Sequence, residues 1–238
     1  MKTDRILRTL VILGAVLWLL PLTGKPGSAQ TLPPTPPQEM PDFTLPVFQG
    51  GEVTLSQLRG KNVLLIFPRG LASEGSWCHI CHYQYAELAA LDASDHIREK
   101  FGLEILFVLP YGREMVEEWV KKFPAQLEDI ERYKNPPDPD KLDDRGRRRL
   151  ELMQKAFPKN FTSKEEDIAL PFPVLIDAER TVSKQLGLFT TEWGGSRVDQ
   201  NVPAVYVIDK DGILRFKYFS QNTFDRPGFD YLKQFLTR

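Results

Sequence analysis

Cysteine is scarce in this chain. Two of the 238 residues carry thiols, Cys78 and Cys81, three positions apart. A disulfide joining them would close a tiny loop, worth only about 2 kcal/mol against about 3 kcal/mol for a loop of roughly 15 residues. A stapling framework of disulfides is therefore excluded, and the pair is there to react or to bind. An excess of charge of one sign is also lacking. The 31 Lys and Arg nearly balance the 32 Asp and Glu, which removes the electrostatic footprint of a nucleic-acid partner. Histidine is almost as rare, with three residues, which limits the ligands open to a metal. No segment repeats. Apolar and aromatic side chains are plentiful, at 42% and 11%, enough for a packed core and against disorder.

The first residues differ from the rest. Lys2, Arg5 and Arg8 precede an apolar run of about 13 residues that ends near Leu22, and Gly27 and Ala29 follow at a plausible cleavage spacing. Residues 1–29 therefore read as a secretory signal peptide. The rival is an uncleaved anchor, but a span needs about 20 apolar residues and Pro21 shortens this run. Both place the bulk of the protein outside the cytoplasm, secreted or periplasmic, with membrane contact only if the segment stays. Residues 30–41, with "TLPPTPPQEMP", read as an extended Pro-rich spacer.

Residues 42–238 read as one α/β domain. "EVTL" predicts a short strand, "SQLRG" a single helical turn, and "NVLLIF" a strand buried on both faces. "CHICHYQYAELAALDASDHIREKFG" predicts one helix stopped by Gly102, with Ile80, Tyr83, Leu88 and Leu91 inward. "LEILFVLP" predicts a second buried strand, and "REMVEEWVKKF" an amphipathic helix. Residues 124–168 are charged and Pro-broken. They predict an inserted surface helix with an apolar stripe of Leu142, Leu150, Met153 and Phe157. A strand at "PFPVLID", a helix, a loop at "WGGSRVDQN", a hairpin turning at Gly212 and a last helix complete a mixed sheet flanked by helices.

"GSWCHICHYQ" holds the chemistry. Cys78, Cys81 and His82 fit a covalent haem attachment, and with His79 the cluster could hold a metal. However, the motif follows a buried strand, unlike small helical cytochromes. On one helical turn His79 points away from the two sulfurs and His82, so four ligands do not converge. Redox chemistry fits best. A sulfur at the first turn of a helix meets free N–H groups and the positive end of the dipole, which favours thiolate. The reading is an exposed, acidic Cys78 that attacks and a buried Cys81 that resolves. His79 either tunes the pair or faces solvent, as does His82, and Trp77 either floors the site or fills the strand–helix junction. No cofactor and no metal are needed.

"PDFTLPVFQGGEVTLSQLRGKNVLLIF" with "WCHIC" resembles the opening of the redoxin group of thioredoxin-like proteins. That group includes secreted thiol–disulfide oxidoreductases and the alkyl-hydroperoxide-reductase/thiol-specific-antioxidant peroxiredoxins. "NVPAVYVIDKDGILRF" resembles the group's later strand pair. The resemblance implies a thioredoxin-like fold, thiol or disulfide protein substrates and a redox donor. It also implies a cis peptide bond before Pro203, leaving Val202 free to bind a substrate backbone beside Trp77, His79 and the sulfurs. Two departures stand out. Gly75 occupies the hydroxyl position of the peroxiredoxin motif Pro-x-x-x-Thr/Ser-x-x-Cys, which weakens a peroxidase reading, and "PRGLASEGS" is an extra loop before the cysteines.

Overall fold

Asn62–Phe67 is six consecutive buried residues, and that apolar continuity puts it in the middle of a sheet. The computed structural model describes residues 38–236. Within them, Thr44–Pro46 (β1) and Glu52–Thr54 (β2) pair as a small hairpin, and Asn62–Phe67 is β3. Leu71–Ser73 (β4) and Ser76–Trp77 (β5) form a second hairpin, so the extra loop before the cysteines is built on paired strands. Its tip is Gly75, with φ of +66°.

His79–Asp95 is α1 and Ile97–Phe101 is α2. The single helix expected here is broken at His96, whose φ is +50°. Leu103–Leu109 (β6), Arg113–Lys121 (α3) and Phe123–Lys134 (α4) follow. The charged, Pro-rich composition concealed α4. Pro124 lies in its first turn, where no amide is needed for the ladder. Asp144–Ala156 is α5, started by the Asp143 carboxylate accepting from the Gly146 N–H at 2.7 Å. Val174–Ile176 (β7), Thr181–Gln185 (α6), Phe189–Thr190 (β8) and Gln200–Asn201 (β9) lead to the strands Ala204–Ile208 (β10) and Leu214–Phe219 (β11). Phe229–Leu236 is α7.

The central sheet runs β11-β10-β3-β6-β7. β3, β6 and β7 are parallel, and β10 is antiparallel to both β3 and β11. Alternate residues of β3 serve two cores, as the strand period of two requires. Leu64 and Ile66 pack with Tyr85 and Leu88 of α1, Trp119 of α3, Phe123 of α4 and Leu232 of α7. Val63, Leu65 and Phe67 pack on the other face with Leu45, Leu55, Val182 and Leu188. This is the mixed α/β sheet with helices on its faces that the sequence predicted.

Three local expectations change. From Gln38 onward the Pro-rich segment is attached rather than a plain spacer. The Gln38 carbonyl accepts from the Leu214 N–H at 2.9 Å and Met40 is buried in the second core. The inserted helix is not only a surface element, because Met153 and Phe157 are buried in the main core. On α1, His82 and Gln84 are buried while Ile80 and Leu91 are only partly so. The signal segment and most of the spacer lie outside the described residues, within which no helix is long and apolar enough to cross a membrane.

Candidate active site

Cys78 is the N-cap of α1, with extended backbone. Its N–H donates to the Gly70 carbonyl at 2.9 Å, and its carbonyl accepts from the Cys81 N–H at 3.1 Å. Both cysteines are free thiols. Cys81 is fully buried one turn into the helix. Cys78 is only 4% exposed, which corrects the expectation of an open sulfur. Residues of β4, α4, α5 and the loop after β11 crowd around it, and Cys78 lines an open cleft of about 300 Å³ together with Arg69, His79, Met153, Phe157 and Phe224. Cys78 reaches that cleft and Cys81 does not line it.

The charge also sits on a different sulfur from the one expected. The Cys78 thiol is held well above the usual thiol range, first by its hydrogen bond to Cys81, then by burial. Burial pushes Cys81 up too, but four favourable contacts outweigh it and bring it to about 6. They are the Cys78 hydrogen bond, the Arg226 guanidinium, and the backbone amides of Gly70 and Arg69. The hydrogen bond within the pair and the surrounding positive charge thus favour a thiolate at Cys81 over one at Cys78. The helix start was expected to acidify Cys78. Instead the strand segment Arg69–Gly70 supplies donors to Cys81, one turn further in.

Arg69 is 4% exposed and donates only to neutral acceptors. Its Nε reaches Gln200 Oε1 at 2.7 Å, and its Nη2 reaches the Trp193 carbonyl at 2.9 Å and Ser196 Oγ at 2.8 Å. Arg226 donates through Nη1 to Ser220 Oγ and the Asp225 carbonyl. Its Nε and Nη2 are buried without a hydrogen-bond partner. Both arginines thus hold unneutralised positive charge near a thiolate. Arg69 stands between β3 and the β4–β5 hairpin that leads into the motif. Arg226, in "FDRPGF", carried no local signal and was missed.

The other expected site residues separate. His79 lines the cleft, and its Nε2 lies 3.2 Å from Asp129 Oδ2 of α4. Trp77 is 1% exposed and donates from Nε1 to Glu118 Oε1 at 2.9 Å, edge-on to Tyr111. It fills the strand–helix junction rather than flooring the site. No cis peptide bond occurs among the described residues, so Pro203 is trans. It is buried just before β10, where a missing N–H costs no ladder bond, and its carbonyl accepts from the Ser220 N–H. Nor is Val202 free, since its N–H donates to the Leu188 carbonyl at 2.8 Å. Arg69–Gly70 separates this segment from the cysteines, because the Arg69 carbonyl takes the Asn201 N–H while the Gly70 carbonyl takes that of Cys78.

His82 is fully buried against Trp119 and Phe123. Its Nδ1 is 3.1 Å from the Cys78 carbonyl and its Nε2 is 2.9 Å from the Trp119 carbonyl. Burial pushes its imidazole down to about 4, against the pull of those two carbonyls. Both ring nitrogens are therefore engaged inside the core. A haem axial ligand needs an accessible imidazole nitrogen, and these residues do not fit that group. Nor do any three His, Cys, Asp or Glu among the described residues group to hold a metal ion.

Comparison with known proteins places this geometry. A search of curated proteins returned no match. Among solved structures, a cysteine-to-serine mutant of peroxiredoxin 6 from Arenicola marina superposes with a TM-score of 0.51 at 12% identity. The match covers 84% of this chain and 70% of that one. The reduced 2-Cys peroxiredoxin of Plasmodium vivax gives 0.51 at 18% identity, covering 83% and 92%. At such identities the likeness is one of fold. The AhpC/TSA family matches residues 36–129 and 152–217, most of the domain including both cysteines. The chain therefore belongs to the AhpC/TSA family, a thiol oxidoreductase of the redoxin group built on the thioredoxin-like fold.

Proposed function

We propose that this protein is an exported thiol–disulfide oxidoreductase in which Cys78 attacks a substrate disulfide and Cys81 resolves the intermediate. The observation that carries this reading is the division of the pair: one sulfur lines a cleft, and the other lies hydrogen-bonded behind it. As Cys78 attacks, its proton passes to the Cys81 thiolate, and the substrate's distal sulfur leaves. Cys81 gives that proton up to the departing substrate thiolate, attacks the Cys78 sulfur, breaks the mixed disulfide to close the pair and frees the second half of the substrate as a thiolate. Its substrates are disulfide proteins or smaller disulfides, and a separate thiol donor restores the pair. Export rests on the N-terminal pattern of residues 1–29.

The test is disulfide reduction driven by dithiothreitol. Activity disappears in Cys78→Ser, and Cys81→Ser accumulates a mixed disulfide on Cys78. Wild-type protein that reduces neither protein nor small disulfides would sink the reading. A thiol peroxidase is the second reading, favoured by Arg69 and Arg226, which could polarise an O–O bond. Thiol-dependent consumption of hydrogen peroxide decides between them.

A further inference from the structure

The cleft over Cys78 has a wall of its own. Tyr133 of α4 and Arg149 of α5 both line it, and both fall within residues 130–151, which the family match passes over. The insertion therefore adds surface beside the sulfur that the family pattern does not describe.

The chemistry of this wall is one-sided. No carboxylate lines the cleft, while Arg69 and Arg149 do. Arg69 is bonded only to neutral acceptors. Arg149 is exposed, has no ion-pair partner among the described residues, and lies 6.0 Å from the centre of the Tyr133 ring. Asp129, which His79 of the lining reaches, is also engaged by Arg132. The rest of the lining is largely apolar, with Ile80, Met153, Phe157 and Phe224. Unpaired positive charge around an apolar floor is complementary to a flat or apolar body that carries a negative charge.

We infer that the insertion makes this cleft selective for anionic disulfides with an aromatic or apolar body, Arg149 meeting the negative charge and Tyr133 the ring. This rests on the thiol–disulfide reading above. The covalent step is unchanged. Cys78 forms the new S–S bond, the substrate S–S bond breaks, and the anionic half leaves as a thiolate. Cys81 then displaces the bound half, so two protein thiols are oxidised for one disulfide reduced.

The experiment compares two aromatic disulfides on the reduced full-length protein, dianionic dithiobis(nitrobenzoate) and neutral dithiodipyridine. Each rate is normalised to the same reagent with free cysteine. In wild type the normalised rates favour the dianion by about tenfold, the scale of one well-placed charge contact. Arg149→Glu brings the ratio of dianion to neutral rate down to about one or below, whereas Arg149→Lys keeps part of the preference. Tyr133→Ala slows both reagents. Arg149 is exposed, so its variants leave the core intact. A wild-type preference absent, or unchanged in Arg149→Glu, overturns the inference while the oxidoreductase reading stands. Failure of wild type to react with either reagent removes that reading and the inference with it.

Discussion

The Cys78 N–H donates to the Gly70 carbonyl at 2.9 Å. This bond ties Cys78 to the short Arg69–Gly70 segment instead of leaving it opposite a substrate-binding proline. On its other side the same segment holds Asn201 through Arg69. The backbone amides of Arg69 and Gly70 turn toward Cys81 and add to the Cys78 hydrogen bond and the Arg226 charge in favouring a thiolate there. One stretch of backbone thus positions both cysteines and fences them from Val202 and Pro203.

Gly70 should therefore tolerate no side chain. Its φ is +82°, and a Cβ there would collide with the ring of Tyr111. Gly70→Ala is expected to destabilise the fold by about 2–3 kcal/mol, through left-handed backbone and overlap together. Gly187→Ala, at φ of +70° with nothing within 4 Å of its added Cβ, should cost about 1 kcal/mol. Urea unfolding of the two variants checks this, and equal costs would contradict the collision.

Arg226 should set the acidity of the pair. The thiolate forms as pH rises through about 6 in the reduced protein. Arg226→Met is expected to move that midpoint up by about one unit, the usual effect of removing a nearby opposite charge. Thiolate ultraviolet absorbance followed against pH measures it without depending on which sulfur ionises. A midpoint that stays in place would assign the charge stabilisation to the backbone donors alone.

His82 should make the fold acid-sensitive. Its folded value of about 4 lies below the usual 6.5, so the unfolded chain binds the proton more readily between these values. The stability it lends is full above about 6.5 and is lost as pH falls toward 4. Between about pH 7 and pH 5 wild type should lose about 2 kcal/mol through this group. His82→Phe keeps the ring packing on Trp119 and Phe123 but loses that part of the slope. Urea unfolding at both pH values for both proteins supplies the comparison, and parallel slopes would show that the two facing carbonyls keep His82 protonatable.

The sequence by itself determined the architecture. Five apolar residues at 63–67 have only one comfortable place, the middle of a two-faced sheet. The alternation in β11, the turn at Gly212 and the short, late helices follow from equally local preferences. Two cysteines three apart also announced thiol chemistry unaided, because no larger disulfide loop was open to them. What only the tertiary structure decided is which groups meet those sulfurs. Helix α4 hid behind a charged composition, and it brings Asp129 and Tyr133 to His79. Arg226 lies far along the chain from Cys78, and no local pattern connects them. The cis bond expected before Pro203 and the free N–H expected at Val202 are absent for the same reason. Periodicity tells which side of an element is buried, whereas the partner across the gap is set by long-range packing and the backbone hydrogen bonds it completes.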